Sequence, residues 1–395
     1  MTERVEDRDM ANIGLIAQRS YDVLMLLLRV VSAVFGIRII NSRGTGVFQA
    51  MHLGQYRLQQ KIGSGGMGEV YLAEHQRLRR RCAIKFIRPD KARDPETLAR
   101  FEREVRMTAS LSHPNTIAIY DYGATDDGAY FYVMEYLPGM DLQTLVDRFG
   151  PLPPERVIHL LRQVCESLAE AHGVGLIHRD IKPGNIYCTC RGGMHDVAKL
   201  LDFGLATLMT GDQDLRLTQP GWFAGSPLYC SPEQTLNDHA PDPRGDVYSL
   251  GAVAYFLLTG HPPFARATLA EVLMAQARDR LLPPSKLRAD VPSDLQQVVV
   301  RCLAKDPSER YPSAQTFAEA LSQCTAANRW TNCHAARWWQ SSNWQRIEKP
   351  LPDLPTLDPS TLWARRTTSN GHRCSQSAGA WSPQSDRIHK VMLFS

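Results

Sequence analysis

Excess charge of either sign is what this 395-residue sequence has little of: 45 Lys and Arg stand against 41 Asp and Glu, a formal net charge of +4. A protein that grips nucleic acid gathers its basic residues into a stripe. Here the densest basic run is Arg77 to Arg81, interrupted by Leu78, and it reads as a solvated turn between strands. No nucleic-acid partner is expected. Paired C-x-x-C motifs are also missing. The nine cysteines are Cys82, Cys165, Cys188, Cys190, Cys230, Cys302, Cys324, Cys333 and Cys374. Their number is odd, and the C-x-C at Cys188 and Cys190 has no His or Cys partner at zinc-site spacing. The pattern fits scattered thiols in a reducing cytosol rather than a disulfide framework.

Long apolar runs are scarce as well. Val23 to Ile40 comes nearest, but a spanning helix needs about 20 mostly apolar residues. Arg29 and Arg38 interrupt the run, and each costs about 2.5–3.5 kcal/mol at a helix centre. A signal peptide fits badly, because Glu3, Glu6, Asp7 and Asp9 sit where positive charge belongs. Membrane contact through residues 23–40 is therefore disfavoured. The segment reads instead as a hydrophobic helix packed elsewhere, or as a stretch upstream of a start at Met51.

What is present is enough apolar material, 43% of residues, for one large or two modest cores. Residues 1–55 form an N-terminal extension containing the 23–40 segment. Residues 56–137 read as short strands with one helix. Arg57 to Ile62, Glu69 to His75, Arg81 to Ile87 and Tyr130 to Tyr136 carry strand-like runs, and Thr97 to Leu111 has helical periodicity. Residues 138–324 are dominated by helical patterns, such as Pro154 to His172 and Asp246 to Thr259. The expectation is an α+β chain of two lobes, a small β-rich one and a larger helical one, with a cleft between. Residues 325–395 form a tail carrying six of the seven tryptophans. Asn328 to Trp344 reads as a short helix docking on the helical lobe, and the Pro-, Ser- and Thr-rich remainder as disorder.

Three constellations carry chemistry. Gly63-Ser64-Gly65-Gly66-Met67-Gly68-Glu69-Val70 lies between two expected strands, and its glycines let backbone amides approach phosphate oxygens. A dinucleotide site would need a helix directly after the glycines; a strand follows instead. Lys85 ends the apolar run Cys82-Ala83-Ile84. A buried lysine needs a partner, and Glu104 on the following helix is placed to supply it; a lysine snorkelling from a sheet edge is the bland alternative. His178-Arg179-Asp180-Ile181-Lys182-Pro183-Gly184-Asn185, followed by Asp202-Phe203-Gly204, combines carboxylates with an amide oxygen. That ligand chemistry suits Mg²⁺ better than a soft metal.

From Tyr56 to Cys324 these strings, in this order, resemble the Hanks-type (eukaryotic-like) protein serine/threonine kinases, bacterial branch. The resemblance implies the bilobal protein-kinase fold with an ATP cleft, and transfer of the γ-phosphate of Mg-ATP to Ser or Thr of proteins. It assigns the glycine loop to the ATP phosphates, Lys85 to the α- and β-phosphates, and Glu104 to an ion pair with Lys85. Asp180 steers the proton of the acceptor hydroxyl. Lys182 neutralises charge on the transferring phosphate, a marker of Ser/Thr kinases. Asn185 and Asp202 ligate Mg²⁺. Val70, Ala83, Met134, Glu135 and Leu137 frame the adenine, and Asp141 reaches the ribose. Asp246 supports the catalytic loop, and Arg310 pairs with Glu233.

The same resemblance makes Arg179 a receiver for a phosphate in the activation loop. Thr207, Thr210 and Thr218 are available there, with Thr218 preferred, and Ser226 keeps a hydroxyl able to reach Asp180 and Lys182. A transient homodimer would serve autophosphorylation. Cys82 and Ser231 stand where valine and alanine are usual, and neither change removes a catalytic group. A nucleotide-binding scaffold without transfer activity would show damage at Lys85, Asp180, Asn185 or Asp202, and all are present. A small-molecule kinase is disfavoured by the complete Gly225 to Glu233 segment, which in this family shapes a peptide platform. ATP use implies a cytoplasmic location, or anchorage through 23–40 with the kinase part facing the cytoplasm.

Overall fold

The computed structural model describes residues 52–65, 68–87, 95–125, 129–203, 227–236, 242–342 and 344. The 23–40 segment, Gly66, Met67, Thr207, Thr210, Thr218, Ser226 and the stretch beyond 344 lie outside the described residues.

Period-two alternation builds the first layer. Strands β1 (His52–Leu53), β2 (Tyr56–Gly65), β3 (Gly68–His75), β4 (Arg80–Ile87), β5 (Ile119–Ala124) and β6 (Tyr130–Glu135) form one antiparallel sheet in the order β1-β2-β3-β4-β6-β5. Cys82, Ile84, Phe131 and Val133 pack with Tyr56, Leu58 and Ala73. The alternate positions Ala83, Ile87, Tyr132 and Met134 pack with Val105 of helix α1 (Pro95–Ser110). Strand β5 escaped the sequence reading because its side chains are only partly buried and its register shifts between Ile119 and Asp121, so no clean alternation marks it.

After β6 the chain forms a second sheet, β7 (Gly139–Asp141), β8 (Ile186–Arg191) and β9 (Met194–Leu200), with β8 in the middle. The helical layer holds α2 (Leu142–Phe149), α3 (Pro154–Gly173), α4 (Pro232–Leu236), α5 (Pro243–Thr259), α6 (Leu269–Arg278), α7 (Ser293–Cys302), α8 (Ala314–Ser322) and α9 (Asn332–Ser341). Every residue of α5 from Gly245 to Thr259 is buried. A helix apolar on all sides belongs in the middle of a core, and α3 packs beside it.

The β8–β9 hairpin places the site. Its turn, Gly192-Gly193, has φ of 56° and 78°, the left-handed geometry that a two-residue hairpin demands and glycine supplies. Strand β8 begins directly after Asn185, and β9 ends two residues before Asp202, so one rigid hairpin fixes both. Its outer end is clamped by the expected tryptophan helix, here α9. Asp196 accepts from the indoles of Trp330 (2.8 Å) and Trp339 (2.6 Å). Arg156 of α3 forms a buried two-toothed pair with the same carboxylate at 2.8 Å, its guanidinium 3.9 Å from the Trp338 ring centre.

Candidate active site

Asp180 stands at the centre of a closed hydrogen-bond set. Lys182 Nζ donates to its Oδ2 at 2.7 Å. Asn185 Nδ2 donates to the same oxygen at 3.0 Å and to the Asp180 carbonyl at 2.8 Å. The Asp180 amide donates to His178 Nδ1 at 3.3 Å. An accepting Nδ1 puts the ring proton of a neutral His178 on Nε2, which then donates to the Leu201 carbonyl at 2.8 Å. The loop and the segment leading into Asp202 are thereby tied together, and Leu201 N donates to Asn185 O at 2.9 Å as a second tie.

The loop is held in a strained shape. Arg179 has φ of 63°, a left-handed conformation costing roughly 1–2 kcal/mol for a residue with a Cβ. Asp246, at the start of α5, accepts from the amides of His178 and Arg179, both at 2.8 Å, and from His172 Nε2 at 2.8 Å. Burial alone would raise Asp246, but the bond and charge of His172, together with His178, outweigh it and hold the carboxyl below its ordinary range. The expected support is in place.

Lys85 is buried, and its ammonium pairs with Asp202 Oδ2 at 2.6 Å. The expected Lys85–Glu104 ion pair is absent, which corrects the sequence reading. Glu104 Oε2 is buried without a hydrogen-bond partner. Burial pushes this carboxyl up to about 7, with Arg179 and Arg103 only partly offsetting it. The physical reason is competition: Asp202 lies within reach of the same ammonium and also accepts from the Tyr132 hydroxyl at 2.6 Å. Burial would raise Asp202 too, but the Lys85 charge and these two hydrogen bonds prevail and its carboxyl sits low.

The apolar residues assigned to the nucleotide from the sequence pack together. Val70, Ala83, Met134 and Leu137 belong to one apolar cluster, with Ala83 paired to Met134 across β4 and β6. In the glycine hairpin, Gly63 pairs with Val70, Ser64 with Glu69 and Gly65 with Gly68. A Cβ at Gly68 would stand 1.8 Å from the Phe86 carbonyl oxygen, so no side chain fits there. Two positions hold more than expected. Asp141 caps α2, its oxygens accepting from Thr144 N and Thr144 Oγ1 at 2.8 Å each; both oxygens serve the helix here. The Glu135 side chain is buried, accepting from Lys199 Nζ at 2.5 Å and from the Ala118 amide at 2.9 Å, with Arg191 alongside.

At the far side, Arg310 grips Glu233 with two bonds of 2.6 and 2.8 Å, the expected pair. Gln234 Nε2 donates to the Arg179 carbonyl at 3.2 Å, joining this segment to the catalytic loop. Arg179 Nε is buried with no hydrogen-bond partner.

Asn185 commits its amide nitrogen to Asp180, which leaves its carbonyl oxygen as the acceptor. With the Asp202 carboxylate it makes a two-residue set of hard oxygens. Among the described residues no three His, Cys, Asp or Glu side chains gather for a metal. Two protein oxygens completed by phosphate and water are how Mg²⁺ is commonly bound, so the residues fit that ion. Tyr132, Lys199 and Asp196 were missed from the sequence. Tyr132 had a signal, since it alternates onto the same face as Ala83 and Met134 on a strand paired with that of Lys85. Lys199 and Asp196 had none, because their partners are 64 and 40 residues away.

Residues 56–322 match the family model described as protein kinase domain. Over 308 residues the chain is 35% identical to serine/threonine-protein kinase pkn3 of Myxococcus xanthus, covering 77% of this chain and 56% of that protein. Over 263 residues it is 41% identical to serine/threonine-protein kinase PknB of Mycolicibacterium smegmatis, covering 66% and 41%. The chain thus spans about half the length of these relatives. A crystal structure of the Mycobacterium tuberculosis PknI kinase domain aligns with a TM-score of 0.55 at 31% identity, covering 70% of this chain and 99% of that one.

Proposed function

Since the chain belongs to the protein kinase family, we propose that it is a serine/threonine kinase transferring the γ-phosphate of Mg-ATP to protein hydroxyls. The observation that carries this is the closed set of Asp180, Lys182 and Asn185 on a strained loop held by Asp246. A loose phosphoryl-transfer transition state asks for positioning and charge compensation rather than covalent chemistry, and this set supplies both.

Asp180 accepts the hydrogen bond of the acceptor hydroxyl and orients its oxygen. Lys182, already bonded to Asp180, lends positive charge to the transferring phosphate. The glycine hairpin from Gly63 to Gly68, with Ser64, Gly65, Gly66 and Met67, covers the phosphates with backbone amides. Val70, Ala83, Met134 and Leu137 supply an apolar slot for the adenine, edged by the backbone of Glu135 and Leu137; Asp141 lies toward the ribose. Asn185 and Asp202 would hold Mg²⁺, which when bound neutralises phosphate charge. For transfer, Lys85 leaves Asp202 for the nucleotide phosphates and takes Glu104 as its partner. Both Glu104 Oε2 and Arg179 Nε are buried and unpartnered, so this form is a resting one. Phosphate on Thr218, placed by a second copy of the chain, would give Arg179 its partner. Ser226 keeps a hydroxyl for Asp180 and Lys182. Protein substrates are supported by the pairing of Glu233 with Arg310, which anchors the peptide-platform segment. No helix among the described residues is long and apolar enough to cross a membrane, and the location we favour is the cytoplasm.

The test is phosphate transfer from radiolabelled ATP to a Ser/Thr-containing protein acceptor by the full chain, beside Asp180→Ala and Lys85→Met. Each variant is expected to lose on the order of a thousandfold in rate, as removal of a key electrostatic group does. Nucleotide binding without transfer in the unaltered chain would instead establish a nucleotide-binding scaffold.

A further inference from the structure

Tyr132 on β6 pairs directly with Lys85 on β4, so their side chains leave the sheet on the same face. Both reach Asp202. Lys85 Nζ donates to Oδ2 and the Tyr132 hydroxyl to Oδ1, each at 2.6 Å. Tyr132 is 1% exposed. Its hydroxyl has no solvent to turn to, and a buried phenol requires an acceptor. Each Asp202 oxygen is therefore held by a donor rooted in the sheet. Asp202 itself sits at φ of 59°, a conformation that needs such external support.

We propose that Tyr132 is a positioning residue that holds Asp202 in its resting orientation in competition with a divalent cation. This rests on the reading of Asp202 as a Mg²⁺ ligand. The phenol occupies lone pairs that a hard cation would use. Turning Oδ1 toward a cation strips a buried hydroxyl of its acceptor, so the cation must bind strongly enough to offset that loss. The same grip keeps Asp202 beside Lys85 and Glu104 without its lysine. Tyr132 thereby raises the Mg²⁺ concentration at which the chain leaves its resting arrangement, while nucleotide binding without the cation is untouched.

The test uses the full chain and calorimetric titration of ADP, in EDTA and across a series of Mg²⁺ concentrations. Tyr132→Phe keeps the ring and removes only the hydroxyl. The Mg²⁺ concentration giving half of the full gain in ADP affinity is expected to fall roughly tenfold, the equivalent of one charge-assisted hydrogen bond, with affinity in EDTA unchanged. Tyr132→Leu, which removes ring and hydroxyl together, must shift in the same direction. An unchanged or higher Mg²⁺ requirement in either folded variant overturns the role of Tyr132. Absence of Mg²⁺-dependent ADP binding in the unaltered chain would overturn the cation reading with it, so the two failures are distinguishable.

Discussion

Glu104 is the residue at which sequence and structure part. Its place on the helix after Lys85 was legible, and so was the need of a buried lysine for a carboxylate. Which carboxylate wins was not, because Asp202 lies 117 residues away in sequence and only the folded cleft brings it to 2.6 Å. The unpartnered Glu104 has a consequence for pH. Its folded value near 7 lies above the ordinary 4.5, so between these values the folded chain keeps a proton that the unfolded chain has lost. Stability is then full below the ordinary value, declines as pH rises toward 7, and stays level above. Thermal melting across that range should show the unaltered chain losing stability relative to Glu104→Gln as pH rises. Parallel curves for the two proteins would mean that Glu104 is not held in a proton-retaining environment.

Among elements, the β8–β9 hairpin is the most consequential, and its Gly192-Gly193 turn made it legible as a hairpin ahead of Asp202. Its core positions Ile186, Cys188, Ala198 and Leu200 are buried, and the polar Asp196, Lys199 and Thr189 are buried among them. The tryptophan helix was legible as well, since Trp330, Trp338 and Trp339 crowd a short stretch. What the sequence could not show was that the indoles of Trp330 and Trp339 converge on Asp196, a carboxylate fully enclosed with Arg156. Removing one donor from a buried charge costs about 1–3 kcal/mol. Trp339→Phe should therefore lower unfolding stability by that order in denaturant titration. A chain ending at Ser322, where the kinase family match ends, loses the whole cover and should be destabilised further. Equal stability of the truncated and full chains would remove the clamp from the account.

For the whole molecule, the bilobal α+β architecture was legible because both periods are strong: alternation along β4 and β6, and the apolar α5 that forms the axis of the helical core. The catalytic loop was legible for a different reason. Its residues bond to one another within a few positions, as Lys182 and Asn185 do to Asp180, so short motifs capture them. The proposed resting form, by contrast, rests on both lobes together. Sheet residues Lys85 and Tyr132 grip Asp202, Glu104 is apart from Lys85, and Arg179 Nε is buried without a hydrogen-bond partner. A chain built this way should transfer phosphate slowly at first and faster once its own activation segment is modified. The most direct measurement incubates the full chain with radiolabelled Mg-ATP and full-length Asp180→Ala chain as acceptor, then hydrolyses the acceptor and separates its phosphoamino acids. Label is expected on phosphoserine or phosphothreonine of the inactive acceptor, appearing after a lag. An unlabelled acceptor, or label on phosphotyrosine alone, would contradict it.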